Sequence, residues 1–103
     1  MMFCVMGIAR NSFRVALVDD EEVTHLLVKH IFQRTQEFRL VGCFSDGTDA
    51  LAGLPRLWPD LVLMDIRMPG VSGIECTRRL KHIMPGLKVI SIGLASRLVQ
   101  GGQ

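Results

Sequence analysis

Acidic residues directly follow two short apolar runs in this chain of 103 residues. Asp19 and Asp20 come after the run at 14–18, and Asp65 comes after the run at 61–64. Three carboxylates crowded together repel one another, and a hard divalent cation with oxygen ligands relieves that repulsion. If the fold brings these side chains together, the sequence predicts a site for such a cation, and we expect the ion to be Mg²⁺.

The segments that must position these residues alternate between two kinds of periodicity. Short apolar runs rich in β-branched residues predict four strands, at 14–18, 39–44, 61–64 and 87–92. Apolar residues at helical spacing predict helices at 23–32, 48–54 and 73–83, with a fourth beginning at 95–99. Strands that alternate with helices indicate βαβ crossovers, and therefore an α/β fold with an open parallel sheet.

The predicted sheet offers one way for the acidic residues to meet. In open parallel sheets, sites form outside the carboxyl ends of the strands, where the strand order reverses. If the first and third strands are neighbours, Asp19, Asp20 and Asp65 converge on that edge. A purely structural interpretation is also open, in which the acidic pair caps the following helix and Asp65 begins a turn. Because all three acidic residues stand at the carboxyl ends of predicted strands, we favour the interpretation in which they form one site.

The helical segments carry signals for their ends and for their buried faces. Pro55 is expected to close the second helix after residue 54, and Ser45-Asp46-Gly47 to start it. In the first helix the apolar spacing selects Val23, Leu26, Leu27, Ile31 and Phe32. In the third helix it turns inward Ile74, Leu80 and either Ile83 or Met84.

Composition excludes several classes of protein. Hydrophobic residues make up 49% and charged residues 21%, which is typical of one globular domain and not of a disordered chain. No apolar run is long enough to span a bilayer, so no membrane contact is expected. The net charge of +2, without aromatic interleaving, predicts no direct nucleic-acid binding. Cys4, Cys43 and Cys76 form no close pair, which indicates reduced thiols and a cytoplasmic location.

Two motifs resemble the receiver domain of bacterial response regulators. The first is Val-Asp-Asp-Glu at 18–21, and the second is Leu-Met-Asp-Ile-Arg-Met-Pro-Gly-Val-Ser-Gly at 63–73. The spacing D-x-x-M-P-G-x-x-G in the second motif is highly specific, and the resemblance covers roughly residues 13 to 95. It implies the receiver fold, a flavodoxin-like open parallel sheet. The sequence around 73–80 resembles receivers that are attached to helix-turn-helix transcriptional regulators.

The resemblance implies a role for each acidic residue. Asp65 would be the phosphoacceptor, which takes a phosphoryl group from a sensor histidine kinase. Asp20 would bind Mg²⁺ directly and Asp19 would be a second ligand, with Asp65 and the backbone carbonyl of Arg67 completing the set. Such a chain is not an enzyme with a substrate of its own. It is a signalling domain that assists its own phosphotransfer and acts on an output domain or a partner protein.

The sequence also departs from the receiver pattern. Gly93 stands where receivers carry a Thr or Ser hydroxyl, and the fifth strand with its lysine and the last helix are expected to be missing. We therefore expect phosphorylation of Asp65 with impaired switching. Residues 1–12 lack the charged start of a signal peptide and are expected to form a disordered leader. Residues 13–103 are expected to be the receiver domain, incomplete at its C-terminus.

The sequence can also be compared with three other classes of function. A degenerate receiver would keep the fold and serve as a phosphorylation-independent protein-interaction module, which Gly93 and the absent lysine favour. A hydrolase with an aspartate nucleophile is disfavoured, because Arg67 occupies the position of its second acid. A dinucleotide-binding domain is excluded, because no G-x-G-x-x-G follows the first strand.

Overall fold

A computed structural model describes residues 12–92 and arranges them as a four-stranded parallel sheet with three helices. In chain order the elements are β1 (Phe13–Val18), α1 (Glu22–Phe32), β2 (Phe38–Phe44), α2 (Gly47–Leu57), β3 (Leu61–Asp65), α3 (Gly73–Ile83) and β4 (Lys88–Ile92). The predicted α/β fold, its four strands and these three helices are confirmed. The predicted helix at 95–99, Gly93 and residues 1–11 of the leader lie outside the described residues.

The order of the strands in the sheet is β2-β1-β3-β4. The chain therefore moves one way from β1 to β2 and the opposite way from β2 to β3 and β4. Because parallel crossovers are right-handed, this reversal places α1 on one face of the sheet and α2 and α3 on the other. It also makes β1 and β3 neighbours, with Val18 paired to Met64 at their carboxyl ends. The residues that follow both strands consequently share one edge.

The core lies between the sheet and the helix pair α2 and α3. Apolar side chains of β1 and β3 alternate between the two faces, and one set packs against the helices. This core contains Ala16, Val18, Ala50, Leu54, Val62, Met64, Cys76, Leu80, Met84 and Leu87. Val15 and Leu17 point to the other face, where they are fully buried on the side of α1. Both faces of β1 are thus buried, as its uninterrupted apolar sequence predicts.

The apolar face predicted for α1 is wrong. Thr24 and Val28 are the buried residues of this helix, whereas Val23 is 62% exposed and Leu26 is 61% exposed. The helix contacts β2 and turns Thr24 and Val28 toward the sheet. The exposed apolar residues lie on its flank, whereas Phe32 at the end of the helix is half-buried, with its ring centroid 6.1 Å from that of Phe38 in β2. Periodicity identified the apolar stripe but not the direction from which the sheet approaches.

The buried face of α3 was predicted only in part. Gly73, Cys76 and Leu80 are buried along one stripe, and Met84 continues it just beyond the helix. Ile74 is 70% exposed, so its predicted burial is wrong, and of the two alternatives Ile83 and Met84 it is Met84 that is buried. Each lies one residue away from a buried position, which turns its side chain by about 100° around the helix axis.

This difference predicts contrasting costs for two truncations on α3. We expect Leu80→Ala to lower the free energy of unfolding by about 3 kcal/mol, because a fully buried leucine leaves a cavity among Leu54, Val62 and Met84. Ile74→Ala, at an exposed position, should cost less than about 0.5 kcal/mol. Urea unfolding of both variants measures the contrast. Equal losses would contradict the assignment of the buried face.

Helix α2 does not end at Pro55, as its sequence predicts, but continues to Leu57. Pro55 removes one N–H from the last turn, and other donors close the end of the helix. The Trp58 N–H donates to the Leu54 carbonyl at 3.0 Å, and the Arg14 guanidinium donates to the Leu57 carbonyl at 2.6 Å. The predicted start is confirmed, because the Asp46 carboxylate accepts a hydrogen bond from the Asp49 N–H at 2.8 Å.

Candidate functional site

The carboxyl edge of the sheet brings three predicted site residues together. Asp19 follows β1 and Asp65 ends β3, one step beyond the paired residues Val18 and Met64. Asp20 is the next residue along the β1–α1 connection. Each of the three offers a carboxylate oxygen, and these oxygens all lie within 4.8 Å of one another. The convergence expected from neighbouring first and third strands is therefore present, with Asp19 and Asp65 buried and Asp20 exposed.

Backbone hydrogen bonds fix the two loops that carry these carboxylates. The Asp19 N–H donates to the Phe44 carbonyl at 3.0 Å, which ties the loop after β1 to the end of β2. The Ile66 N–H donates to the Ile92 carbonyl at 3.4 Å, which ties the loop after β3 to the end of β4. Each acidic loop is thus hydrogen-bonded to the strand next to it, so the sheet itself holds the site in place.

Local hydrogen bonds then orient the two buried carboxylates. The Glu21 N–H donates to Asp19 Oδ1 at 2.7 Å, and the Arg67 N–H donates to Asp65 Oδ1 at 3.2 Å. In both cases the donor is the residue two positions further on, so each aspartate folds its own following turn around its side chain. The N-cap residue of α1 is Glu21, and no side chain caps this end of the helix, so the alternative in which the acidic pair caps α1 is wrong. Asp65 does begin a turn, and it belongs to the acidic cluster as well.

Two glycines shape the loop between β3 and α3. Gly70 has φ of +76°, in the left-handed region that favours glycine. Gly73 begins α3 directly against the backbone of Asp65 and Ile66, where a Cβ atom would overlap the Asp65 carbonyl oxygen. The Gly73 N–H also donates to the Ile66 carbonyl at 3.1 Å. Gly70 therefore permits the turn after Pro69, and Gly73 lets α3 begin directly against the end of β3.

The acidic cluster is electrostatically unfavourable in the absence of a cation. Burial is the largest influence on Asp65 and raises its pKa to about 6, against an ordinary value of 3.8. The Arg67 N–H opposes that shift, whereas the charges of Asp19 and Asp20 add to it. Burial likewise raises the pKa of Asp19, and the Glu21 N–H partly offsets the increase. These shifts measure the cost of gathering negative charge at one edge of the sheet.

The donor set fits a hard divalent cation. It consists of carboxylate oxygens alone, from two buried residues and one exposed residue, and Mg²⁺ prefers oxygen ligands from one or two carboxylates together with water. The exposed Asp20 leaves the cluster open to solvent on one side. Asp19, Asp20 and Asp65 can therefore hold the ion by their side chains. Arg67 follows in the same loop, and the ligand role of its backbone carbonyl stays a prediction.

His25 is a neighbour of the site that the sequence did not single out for it. Its Nε2–H donates to the backbone carbonyl of Asp19 at 2.6 Å, from the first turn of α1. The bond links the helix to the loop that carries both Asp19 and Asp20. The spacing of His25 from the acidic pair is not typical of metal ligands, so the sequence predicts only a structural role for this histidine. The next residue toward the N-terminus, Thr24, is buried, and within residues 12–92 its Oγ1 is a buried side-chain oxygen without a hydrogen-bond partner.

A parallel sheet with the order β2-β1-β3-β4, and an acidic cluster where β1 and β3 end, defines a receiver-type α/β domain. The family model described as response regulator receiver domain matches residues 15–100. The chain therefore belongs to the response regulator receiver domain family. Within the described residues, the helices are all too short or too polar to cross a membrane.

Curated relatives and solved structures agree with this family. The response regulator GacA of Pseudomonas viridiflava is 33% identical over 95 residues, which are 86% of this chain and 44% of GacA. The transcriptional regulatory protein DegU of Brevibacillus brevis is 34% identical over 84 residues, which are 82% of this chain and 36% of DegU. The chain thus spans less than half the length of both relatives.

The similar solved structures are response regulators or their receiver domains. The response regulator domain of Thermotoga maritima CheB gives a TM-score of 0.74 at 30% identity, covering 80% of this chain and 60% of that one. A LuxR-family two-component response regulator from Aurantimonas gives 0.73 at 26% identity, covering 78% of this chain and 57% of that one. The predicted resemblance to receivers, including those of transcriptional regulators, is confirmed.

Proposed function

We propose that this domain accepts a phosphoryl group on Asp65, with Mg²⁺ held by Asp19, Asp20, Asp65 and the backbone carbonyl of Arg67. The donor is the phosphohistidine of a sensor histidine kinase, and the domain acts in the cytoplasm on an output domain or a partner protein. One observation carries the proposal. Three carboxylates lie within 4.8 Å of one another on the edge where the strand order reverses, and Asp65 is the buried one that ends β3.

The chemistry requires a nucleophile that is ionised and held in place. One oxygen of Asp65 accepts the Arg67 N–H, and the other attacks the phosphorus atom in line with the leaving nitrogen. The P–N bond breaks, its electron pair stays on the imidazole of the donor, and a P–O bond forms an aspartyl phosphate. When bound, Mg²⁺ neutralises charge on the phosphoryl oxygens and keeps the crowded carboxylates ionised.

Positioning accounts for the contributions of the other residues. Asp19 is anchored from both sides, by the Glu21 N–H on its carboxylate and by His25 on its carbonyl. Asp20 is exposed and can exchange ligands with solvent. The chain catalyses no reaction on a separate substrate in this proposal. A related receiver domain, that of RcsB from Salmonella enterica serovar Typhimurium, was solved in the presence of the phosphomimetic BeF3⁻, which supports phosphorylation as the function of this domain.

The second candidate function is a phosphorylation-independent interaction module. It is motivated by Gly93, which occupies the position of the receiver hydroxyl in the sequence. The complete set of acidic residues disfavours it, because an interaction module has no use for three repelling carboxylates at one edge. The two functions differ in one property, which is whether partner binding depends on Asp65.

Phosphorylation of Asp65 can be tested directly by intact-protein mass spectrometry. We expect the chain to gain one phosphoryl group when incubated with acetyl phosphate and Mg²⁺, and to gain none when Mg²⁺ is removed by a chelator. Asp65→Asn should abolish the adduct because it removes the nucleophile, and Asp20→Ala should suppress the adduct because it removes a Mg²⁺ ligand. Asp49→Asn, an exposed aspartate in the first turn of α2, serves as the matched control and should be labelled normally.

Two results would overturn this proposal. The first is an adduct that persists in Asp65→Asn, which would place the phosphoryl group on another residue. The second is the absence of any adduct in a sample that circular dichroism shows to be folded. That second result would favour the interaction module, whose partner binding should then survive Asp65→Asn unchanged.

A further inference from the structure

A groove of about 690 Å³ lies between the end of α1 and β2, where β2 forms the edge of the described sheet. Its apolar floor consists of Phe32, Phe38, Leu40 and Cys43. Phe38 is 41% exposed, and the other three are half-buried. None of the seven β2 residues is buried, whereas four of the six β1 residues are. Apolar side chains thus line a surface that the described part of the chain leaves open.

Backbone groups of β2 point out from the same edge. Within residues 12–92 the strand beside β2 is β1, and the other side of β2 has no strand next to it there. The carbonyls of Glu37 and Phe44 accept hydrogen bonds from β1 and the residue after it. Because the backbone groups of successive strand residues alternate in direction, the neighbouring Phe38 and Cys43 direct theirs outward. Outward N–H and C=O groups on an edge strand are a template for another extended segment.

The charges in the lining of this groove are all positive. Lys29 and Arg39 are its charged residues, and both are exposed. Burial raises the pKa of Cys43, and the Lys29 ammonium partly opposes that increase, so the ammonium lies near the apolar floor. Glu37 and Arg34 are sequence neighbours of lining residues, but they lie outside the lining and carry opposite charges. The groove therefore favours an anionic occupant.

The same charges decide between two kinds of occupant. A second copy that paired edge to edge would bring its own Lys29 and Arg39 to the groove, and these like charges would repel one another. The register between β1 and β2 also shifts at Val41, and edges that combine such a bulge with cations are protected against self-association. An extended segment with acidic side chains would instead be attracted by both cations. We therefore consider the acidic segment the better occupant.

We propose that the outer edge of β2 binds an extended acidic segment of a partner protein as an added strand. Alternate apolar side chains of the segment pack on the apolar floor, and its carboxylates pair with Lys29 and Arg39. The edge is separated from β3 by β1, so binding of the partner does not require a phosphoryl group on Asp65. This interaction goes beyond the proposed phosphotransfer and does not depend on it.

Binding can be measured by fluorescence anisotropy with two labelled peptides and the full chain. The acidic peptide, Glu-Val-Glu-Ile-Glu-Val-Glu, alternates charged and apolar side chains, and the basic peptide has Lys in place of every Glu. We expect the basic peptide to bind at least about tenfold more weakly than the acidic one. Lys29→Glu combined with Arg39→Glu should reverse that preference, because the variant exchanges the complementary charges.

Arg56→Glu combined with Lys88→Glu is the matched control. Both residues are exposed cations outside the groove, in the last turn of α2 and at the start of β4, and the net charge changes by the same amount. This variant should bind the acidic peptide within about twofold of the parent, because exposed charges at a distance are screened by salt. A loss as large as that of the groove variant would show that net charge alone attracts the peptide, and would overturn the proposal.

Two further measurements locate the peptide and test its backbone pairing. Alkylation of Cys43, followed by peptide mapping, should slow when the acidic peptide saturates the chain, whereas the buried Cys76 serves as the internal reference. In an added strand only every second peptide N–H faces β2. Of two acidic peptides, N-methylated at the apolar residues or at the inner Glu residues, one should therefore bind at least about tenfold more weakly and the other should bind as the parent peptide does.

Four results would overturn the proposal. They are a folded chain that does not bind the acidic peptide at about 1 mM, equal alkylation of Cys43 with and without the peptide, equal affinity of the two N-methylated peptides, and a dimer on size-exclusion chromatography that the acidic peptide dissociates. The last result would assign the groove to a second copy. Formation of the phosphoryl adduct should be the same in the groove variant and in the parent, so failure of this interaction and failure of the proposed function are distinguishable.

Discussion

Replacing Gly73 with alanine should damage both the stability of the domain and the site at Asp65. The added Cβ atom would overlap the carbonyl oxygen of Asp65 and crowd the Cα of Ile66. These are backbone atoms of β3 and its following loop, so no side chain can rotate away to make room. Overpacking of this kind costs about 1–3 kcal/mol, and the higher helix propensity of alanine recovers at most about 1 kcal/mol.

The consequence for chemistry should exceed the consequence for stability. Because α3 begins against Asp65, relief of the clash must move the helix or the strand end that carries the carboxylate. A displacement of about 1 Å at a reacting group is enough to lower a rate about a hundredfold. We therefore expect Gly73→Ala to slow adduct formation from acetyl phosphate by about that factor, under conditions where circular dichroism shows the variant to be folded.

Gly86→Ala is the matched control for this prediction. It makes the same chemical change in the turn before β4, where nothing lies within 4 Å of the position of a Cβ atom. We expect a change of less than about 1 kcal/mol in the free energy of unfolding, in the stabilising direction, and no change in the rate of adduct formation. If Gly73→Ala changed the stability and the rate of adduct formation as little as Gly86→Ala, the close approach of α3 to Asp65 would not matter for function.

The site could be predicted from the sequence because its determinants are local. An apolar run buried on both faces marks a strand, and the residue that ends it has a defined place at the edge of the sheet. Asp19, Asp20 and Asp65 were therefore located before their spatial neighbours were known. Bringing the three residues together also required the order of the strands in the sheet, and the resemblance to receivers supplied that order. His25 could not be predicted as a neighbour of the site, because its hydrogen bond to the Asp19 carbonyl depends on how α1 leaves the loop.

The predictions that are wrong concern how the helices contact the rest of the fold. The stripe of apolar residues in α1 was identified correctly, but Thr24 and Val28 face the sheet and the stripe lies beside them. Helical periodicity fixes the angle between side chains and not the rotation of the helix against its support. The missing N–H of Pro55 likewise predicts that α2 ends there. The donors that extend the helix to Leu57 include Arg14, which is 43 residues away in the sequence.

The free energy of unfolding of the metal-free domain should fall as the pH rises through the pKa of Asp65. Burial raises that pKa from 3.8 to about 6, so between these values the folded state binds more protons than the unfolded state. Stability from this group is therefore complete below about pH 4 and is lost as the pH rises through about 6. Between about pH 5 and about pH 7.5 we expect a loss of about 1 kcal/mol, measured by urea unfolding in the presence of a chelator.

Asp65→Asn isolates this effect from other titrations. The variant removes the charge while it keeps the shape of the side chain, so it should be more stable than the parent at neutral pH and should lose the corresponding part of the pH dependence. Groups other than Asp65 contribute equally to parent and variant and cancel in the difference. Glu75 does not interfere, because hydrogen bonds from Arg78 and Arg79 lower its pKa to about 2 and its stabilisation is lost only as the pH falls below about 4.5.

Mg²⁺ should reverse the loss, because the ion and the protons compete for the same carboxylates. At about pH 7.5 the cluster is ionised, and each tenfold increase in free Mg²⁺ above its Kd should add about 1.4 kcal/mol to the free energy of unfolding. At about pH 5 a proton on Asp65 must first be displaced, which weakens apparent binding about tenfold and removes about 1.4 kcal/mol of that stabilisation. Asp65→Asn should respond weakly at both values. An equal response of parent and variant would show that Mg²⁺ binds elsewhere, and the acidic cluster would then have to be explained without a cation.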